Sequence, residues 1–527
     1  MLAPASQVDL QANSYAQRWW ILAACCVVAF AQLAEPDLWI IGFDIPASAF
    51  GTAWDEYRFF ANLGVMLFIA FQLIGGVLGD LYGRRRILLI GVIGSIVCNL
   101  FSFLAWNVES LIVMRGLVGI FGALAFPLAL AIIRLTFTEI EERKLALVIY
   151  TFAVGAGTLA SLLGIPIESA LGWRWALALP ILAGVIGLNL ARRYLPESTA
   201  PEGVGRAEAI AAAAWALVTL TLLFGLSIAQ VSGTWFNPLT LTAVGLGLTG
   251  LLVIFIWARR TARRGIFGEV KGVPRYLLSL MLLITATLSF ALSAYVLQLY
   301  QFFATVNQMH GFVAGMALSP ILLGNLFTIR WAAKFTISQP RHISVGTGIA
   351  MIVAAMWLTS LARPNFPYLL MVPLMVLFGL GFLIASAAWT NFFFAVLPGD
   401  LTGLAAGVNR AAGLVGGSLS GVILSTVIVF TGKLSFQQRM ADLGLDEAQQ
   451  ALAFEALEFM LRNGLSADDV QQPAALIALG LLSAYREAYS VAISSALFTA
   501  GAGVLAVGLV AWLWLRRYGS AYKLTEA

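Results

Sequence analysis

Apolar runs of about 20 residues recur along the whole chain, and shorter polar segments separate them. A run of this length can cross the hydrocarbon core of a bilayer as an α-helix. The pattern therefore predicts an all-α, polytopic membrane protein with fourteen transmembrane helices. The predicted spans are 19–46, 58–79, 87–105, 110–134, 145–167, 174–193, 208–229, 237–258, 276–303, 311–333, 342–361, 367–390, 402–431 and 485–515.

Two longer polar segments divide these spans into groups. Residues 1–193 hold the first six helices, and residues 194–275 hold a linker and two additional helices. Five more helices occupy 276–431, and the last helix and a tail occupy 485–527. The segment between them, 432–484, is acidic and has apolar residues at helical spacing, which predicts amphipathic helices outside the membrane. Such a segment either caps the connection between two helices or guides cations or lipids at an exit.

Composition supports the membrane assignment and excludes several classes of function. The chain is 60% hydrophobic and 11% charged, whereas about 25% of the residues of a soluble domain are charged. Its basic residues lie in short loops and form no aromatic-interleaved surface, so no nucleic-acid partner is expected. The chain has three cysteines and two histidines without metal-ligand spacing, so we expect neither a metal site nor a disulfide framework.

The distribution of charge predicts the orientation in the membrane. If the N-terminus lies in the cytoplasm, most of the 31 Lys and Arg residues fall in cytoplasmic loops and tails. This bias supports an even number of spans with both termini in the cytoplasm. We expect a multi-pass protein of the bacterial inner (plasma) membrane.

A glycine-rich turn with three arginines lies between the second and third predicted helices. Residues 76–86 read Gly-Val-Leu-Gly-Asp-Leu-Tyr-Gly-Arg-Arg-Arg. Glycines let helix ends approach closely, and an acid there can face helix N-termini or an arginine. The stretch resembles the loop between helices 2 and 3 of the major facilitator superfamily. That resemblance implies a cytoplasmic gate, in which Asp80 and Arg84 pair with helix ends across the two halves of the protein.

The predicted gate residues are Gly76, Asp80, Gly83, Arg84, Arg85, Glu142 and Arg143.

Further stretches are similar to those of the fourteen-helix drug/proton antiporter family within that superfamily. Residues 37–46 resemble the family's helix 1 stretch, and residues 111–119 resemble a helix 4 motif whose buried arginine, here Arg115, is implicated in proton coupling. Residues 160–165 depart from the family's glycine-proline motif in helix 5. The resemblance implies two six-helix bundles plus two extra central helices.

Three acids in the first predicted helix are the main candidates for transport chemistry: Glu35, Asp37 and Asp44. A charge at the bilayer centre costs roughly 2.5–3.5 kcal/mol, so a retained acid marks a functional position. Asp37 and Asp44 are two turns apart on one helix face. If helix 1 lines a central cavity, as the resemblance implies, Asp37 takes up and releases a proton as the cavity changes sides. In the alternative, Glu35 and Asp44 lie in water at the outer mouth.

Arg115 is predicted to pair with a helix 1 acid in one conformation and to withdraw in the other. The alternative is a structural arginine that reaches toward the membrane surface.

The second half of the chain offers mainly neutral candidates for contact with substrate. From residue 276 to 431 the only acid is Asp400, in a loop. The residues predicted to line the substrate path are Trp39, Tyr300, Gln301, Asn391, Asn409 and Arg410.

These features predict a monomeric, proton-coupled exporter of amphipathic small molecules that works by alternating access. Its partners would be the substrate, protons and membrane lipids, and the proton gradient would stand in place of a cofactor. An exporter or flippase of a lipid or natural product is the main alternative. An uptake transporter, a non-transporting sensor and a membrane enzyme are further alternatives, although no catalytic cluster is apparent in the sequence.

Overall fold

The structure, a computed structural model, describes residues 15–34, 54–199, 206–232, 237–260, 275–309, 311–396, 402–440 and 482–518. Within these residues every regular element is a helix, which confirms the all-α prediction. Helical segments fall at each of the fourteen predicted positions.

The first group comprises α1 (Tyr15–Leu33), α2 (Trp54–Tyr82), α3 (Arg84–Phe103), α4 (Val108–Thr136), α5 (Ile140–Leu171), α6 (Ala178–Tyr194), α7 (Arg206–Ser232) and α8 (Pro238–Arg260). A four-residue helical turn, Trp173–Ala176, precedes α6. The second group comprises α9 (Arg275–Gln301), α10 (Ser319–Ser338), α11 (Arg341–Thr359), α12 (Tyr368–Val396), α13 (Thr402–Met440) and α14 (Leu482–Tyr518). We refer to α1–α6 as the first half and to α9–α14 as the second half.

Length and composition fit a membrane protein. In the described chain, ten helical stretches are long and apolar enough to cross a membrane. Three shorter apolar stretches, Gln17–Leu33, Ala209–Gly225 and Pro238–Gly250, lie in α1, α7 and α8. The total of fourteen spans stays a prediction. Large apolar side chains such as Phe327 and Leu369 are 83% and 78% exposed, as expected where lipid is the solvent.

Three local features differ from the predicted spans. The predicted span 311–333 is interrupted, because a short helix at Gly311–Met316 ends before α10 begins at Ser319 with a proline in its first turn. A π-helical turn, Phe302–Val306, extends α9. α13 continues nine residues beyond its predicted end at 431, to Met440, and Phe436 in this extension is fully buried. The helix thus continues past 432, where the predicted outer segment begins, and residues 441–481 of that segment lie outside the described residues.

Helices of each half pack mainly within that half, and two sets of contacts join the halves. α5 packs against α10 and α12, and α13 packs against α2 and α4. The additional pair, α7 and α8, lies beside α2 through α7. The space between the halves is therefore bounded by α4 and α5 on one side and by α9, α12 and α13 on the other.

Small residues permit the closest helix crossings. A Cβ added at Gly91 of α3 would lie 2.6 Å from the carbonyl oxygen of Phe121 in α4. A Cβ added at Gly119 of α4 would overlap the carbonyl oxygen of Gly64 in α2. Close packing through small residues is typical of membrane helices, which gain no hydrophobic energy by associating in lipid.

Candidate functional site

A cavity of about 90 Å³ lies between the two halves. Both halves contribute to its wall, which carries aromatic rings, hydroxyl groups and one amide, and the described lining residues include no charged side chain. The wall comprises Phe126, Pro127 and Leu130 of α4, Tyr150, Thr151 and Val154 of α5, Thr285, Leu288 and Ser289 of α9, Phe382, Ser386, Trp389 and Thr390 of α12, and Asn409 and Gly413 of α13.

A hydrogen-bonded cluster fixes the wall on the side of the second half. The indole nitrogen of Trp389 donates to the Met281 carbonyl and to the Thr285 hydroxyl, each at 3.2 Å. The Thr285 hydroxyl lies 2.7 Å from Asn409 Oδ1 and donates to it. The ring of Trp389 is thereby held in one orientation, because α9, α12 and α13 all contribute to its surroundings.

Glycines of α13 bring this helix close to α9. A Cβ at Gly413 would lie 2.8 Å from the Ser289 hydroxyl oxygen, and a Cβ at Gly416 would overlap the Ala286 carbonyl. The polar wall thus depends on a helix crossing that larger residues would not permit.

The residues predicted to line the substrate path separate in the structure. Asn409 lies in the cavity wall, whereas Asn391 lines a second cavity with Arg143. Gln301 Oε1 accepts a hydrogen bond of 3.2 Å from the Tyr489 hydroxyl, and the adjacent Tyr300 is half-buried at the end of α9. Trp39 and the side chain of Arg410 lie outside the described residues.

Sequence reasoning missed most of the neutral wall. Phe382, Ser386 and Trp389 share one face of α12 at spacings of four and three residues. That mixture of aromatic and hydroxyl side chains on one face was the available signal. It was hidden because the whole of α12 is apolar, so its lipid-facing and cavity-facing sides look alike.

The three acids of the first predicted helix, Glu35, Asp37 and Asp44, lie outside the described residues. Arg115 is buried in α4 and lines a narrow cavity of about 10 Å³ that also touches Gln32, close to the end of α1. Gln32 Oε1 accepts a hydrogen bond of 3.0 Å from the Ser95 hydroxyl. Arg115 and Gln32, which lies at the end of the described part of α1, therefore border the same small space.

A buried ion pair stabilises the turn between α2 and α3. Arg84 Nε donates to Asp80 Oδ1 at 2.9 Å, and Nη2 lies 2.8 Å from the same oxygen. Both side chains are almost completely buried. Gly83 between the helices has φ of 107°, a conformation that disfavours residues with a Cβ. Gly76, one turn before Asp80, is buried on α2.

The segment that follows α6 holds this turn from the other side. The backbone N–H of Arg84 donates to the Ser198 carbonyl at 2.9 Å, and the backbone N–H of Arg85 donates to Glu197 Oε1 at 3.0 Å. The Arg85 guanidinium donates to the Arg192 carbonyl at 2.7 Å. These contacts lie within the first half, whereas the sequence predicted pairing across the halves.

The remaining predicted gate residues have other surroundings. Glu142 forms an ion pair of 3.4 Å with Arg18 of α1. Arg143 faces Arg341 of the second half across a separate cavity. The predicted gate residues thus form three separate groups.

No cluster of His, Cys, Asp or Glu with the geometry of a metal site occurs among the described residues. The three cysteines are free thiols.

Comparisons with known proteins agree with this architecture. The profile of the Major Facilitator Superfamily matches residues 21–421. The chain is 28% identical to the puromycin resistance protein pur8 of Streptomyces alboniger, over 78% of this chain and 82% of that protein. It is 26% identical to the multidrug efflux pump LfrA of Mycolicibacterium smegmatis, over 93% of this chain and 96% of that protein. The crystal structure of the human organic anion transporter MFSD10 has a similar fold, with a TM-score of 0.59, 13% identity, and coverage of 94% and 99% of the two chains.

Proposed function

This chain belongs to the Major Facilitator Superfamily, and we propose that it exports amphipathic small molecules in exchange for protons. It is a multi-pass integral membrane protein and a transporter rather than an enzyme. The direction of transport, the substrate class and the coupling to protons are parts of the proposal. So are a monomeric state and a bacterial inner membrane with both termini in the cytoplasm.

The cavity between the halves that Trp389 and Asn409 line is the observation that carries this proposal. Its aromatic side chains can contact the apolar part of a ligand, and its hydroxyl and amide groups can bind a polar part. Because both halves contribute to its wall, a rocking movement of one half against the other would change the side from which the cavity is open. Similarity to an efflux pump and a resistance protein supports export as the direction.

Asp37 is the proposed proton carrier, with Glu35 and Asp44 as additional acids near the same path. A buried arginine requires a carboxylate or several carbonyl groups as partners. The place of Arg115, beside the end of α1, supports pairing with a helix 1 acid. No cofactor is required by this scheme, because the proton gradient supplies the free energy.

The turn around Asp80 is the proposed gate element. Its ion pair and its contacts with Glu197 and Ser198 make α2, α3 and the end of α6 one rigid unit. A rigid unit of this kind can move as a body when the halves rock.

Export of a lipid or natural product is the second candidate. Similarity to a protein named for puromycin resistance favours it, because puromycin is itself a natural product. The uncharged described wall of the cavity is also compatible with a ligand that carries no net charge.

Proton flux in liposomes tests the proposal and separates the two candidates. The purified protein would be reconstituted with a pH-sensitive dye inside, and cationic dyes, neutral lipids and anionic amphiphiles would be added in turn. We expect cationic amphiphiles to drive proton movement in the wild type and not in Asp37→Asn. Glu109→Gln, which changes an exposed acid at the start of α4, is the matched control. Equal flux in Asp37→Asn and wild type would refute the role of Asp37, and a response to neutral lipids alone would favour the second candidate.

A further inference from the structure

A second cavity, of about 210 Å³, lies where α5 of the first half meets α10, α11 and α12 of the second half. Arg143 and Lys144 of α5 line it on one side, and Arg341, the first residue of α11, lines it on the other. The described residues of its wall include no carboxylate. Three cationic side chains from two different halves thus share one space.

These cations are held close together. Arg143 and Arg341 line the same cavity from opposite halves, so their positive charges repel each other. Lys144 Nζ donates to the Ile337 carbonyl at 3.2 Å and forms an ion pair of 3.3 Å with the exposed Glu141 on the same helix, and these contacts hold the ammonium group against the end of α10. The Arg341 guanidinium lies over the ring of Phe392, 5.4 Å from its centroid. Like charges positioned by fixed neighbours attract an anion more strongly than mobile surface cations do.

A buried hydroxyl group in the same wall also indicates a ligand. Ser344 lies one turn after Arg341, is completely buried, and its Oγ has no hydrogen-bond partner among the described residues. Such a group is rare in proteins, because leaving a buried donor without an acceptor is unfavourable. Asn391, almost as deeply buried, adds an amide to the wall.

We propose that this cavity binds a phosphate-type oxyanion, which bridges the two halves of the protein. Guanidinium groups match the oxygen geometry of phosphate, and the Ser344 hydroxyl can donate to one of its oxygens. The N-terminal end of α11 contributes its positive dipole on the same side. A volume of 210 Å³ is ample, because a single water needs only about 10–15 Å³ on this measure. The phosphate is either inorganic phosphate or the phosphate group of an anionic lipid.

A bridging anion has a consequence for movement. It contacts both halves in the conformation described, so it binds this conformation more tightly than one in which α5 and α11 separate. By linkage, it stabilises the contact between the halves at this end of the molecule. This function is independent of the identity of the transported substrate.

Equilibrium binding of radiolabelled inorganic phosphate to the purified full-length protein in neutral detergent tests the site. Arg341→Gln should weaken binding at least tenfold, as expected for the loss of one charge-assisted hydrogen bond. Ser344→Ala should weaken it several-fold with little effect on folding. Arg330→Gln removes an exposed cation on α10 outside the cavity and should bind phosphate like the wild type. Arg143→Gln gives a second test of the cationic wall if Arg341→Gln fails to fold.

A second arm distinguishes the sources of the phosphate group. The protein would be placed in nanodiscs of phosphatidylcholine with or without phosphatidylglycerol, and its thermal unfolding would be measured. Stabilisation by phosphatidylglycerol that Arg341→Gln and Ser344→Ala abolish, without binding of inorganic phosphate, would identify the lipid headgroup as the ligand. The proposal is overturned if neither inorganic phosphate nor phosphatidylglycerol binds the wild type more strongly than it binds Arg341→Gln. It is also overturned if Arg330→Gln loses binding as much as Arg341→Gln does. Because no transport is measured, failure of the proposed export function would leave these results unaffected.

Discussion

At the scale of single residues, the most deeply buried ion pair among the described residues lies at the turn between α2 and α3 rather than in the cavity. Asp80 and Arg84 are one helical turn apart and buried together. A buried pair of this kind contributes little net stability compared with apolar residues, but loss of one partner leaves an uncompensated charge. Replacing either residue alone should therefore destabilise the protein, whereas replacing both together should be tolerated.

We expect Asp80→Asn to destabilise the protein by roughly 3–5 kcal/mol, the usual cost of breaking a buried pair by removing one partner. The double variant Asp80→Asn/Arg84→Gln should recover much of that loss, since no full charge then remains buried. Thermal unfolding in detergent measures both effects. In transport assays Asp80→Asn should slow the conformational switch without altering substrate preference. A double variant no more stable than the single one would contradict the ion-pair explanation.

Arg115 provides a residue-scale test of proton coupling. If its guanidinium stabilises the ionised form of a helix 1 acid, Arg115→Ala lets that acid keep its proton at higher pH. The pH optimum of transport should then move upward, while Arg115→Lys should move it less because a positive charge is retained. Rates measured in vesicles across a pH series check this expectation. An unchanged optimum in Arg115→Ala would leave only a structural role for the arginine.

At the scale of helices, hydrophobic patterning predicted the positions well and their ends less well. Within the described residues, helix occurs in every predicted span, because a bilayer requires internally hydrogen-bonded apolar segments of about 20 residues. The extension of α13 to Met440 was missed because it depends on the burial of Phe436 by other helices. The π-helical turn at Phe302–Val306 was missed for a similar reason. The Val306 carbonyl accepts a hydrogen bond of 2.7 Å from Arg486 of α14, which no local pattern reveals.

The crossing of α9 and α13 can be tested at one glycine. Gly416→Ala should destabilise the protein by about 1–3 kcal/mol, the usual effect of overpacking, because its Cβ would overlap the Ala286 carbonyl. Gly245→Ala is the matched control, since a Cβ there meets nothing within 4 Å and the residue is exposed on α8. That change should be neutral or stabilising by up to about 1 kcal/mol, because alanine favours helix more than glycine does. Equal unfolding temperatures for the two variants would show that the close crossing is not required.

At the scale of the whole molecule, the site depends on which helices meet between the halves, and a linear pattern contains little of that information. Asn409 was predicted and lies in the cavity wall, whereas Asn391 was predicted for the same path and lies in the basic cavity. Charged residues such as Arg115 were easy to find because burial of charge is costly. Trp389 and Thr285 were not, because neutral residues of an apolar helix look the same whether they face lipid, protein or a cavity.

Alternating access requires that the contact between α5 and the second half can open. Ala333 of α10 and Val148 of α5 are buried in one apolar cluster at that contact. Ala333→Phe should push α5 and α10 apart, because a buried position in this interface has no room for a ring. The population should then shift toward molecules that are open at this end.

The reporter would be Val148→Cys in a background where Cys25, Cys26 and Cys98 are replaced by alanine. Labelling of the introduced cysteine by a membrane-impermeant maleimide should be slow when Ala333 is retained and faster in the Ala333→Phe variant, because the label reaches position 148 only when the halves separate. Leu326→Phe adds a ring on α10 at a position that is 52% exposed, so it should leave the labelling rate unchanged. If Ala333→Phe folds and the cysteine at position 148 is labelled no faster, the contact between α5 and the second half does not open, and the two halves do not rock about the cavity.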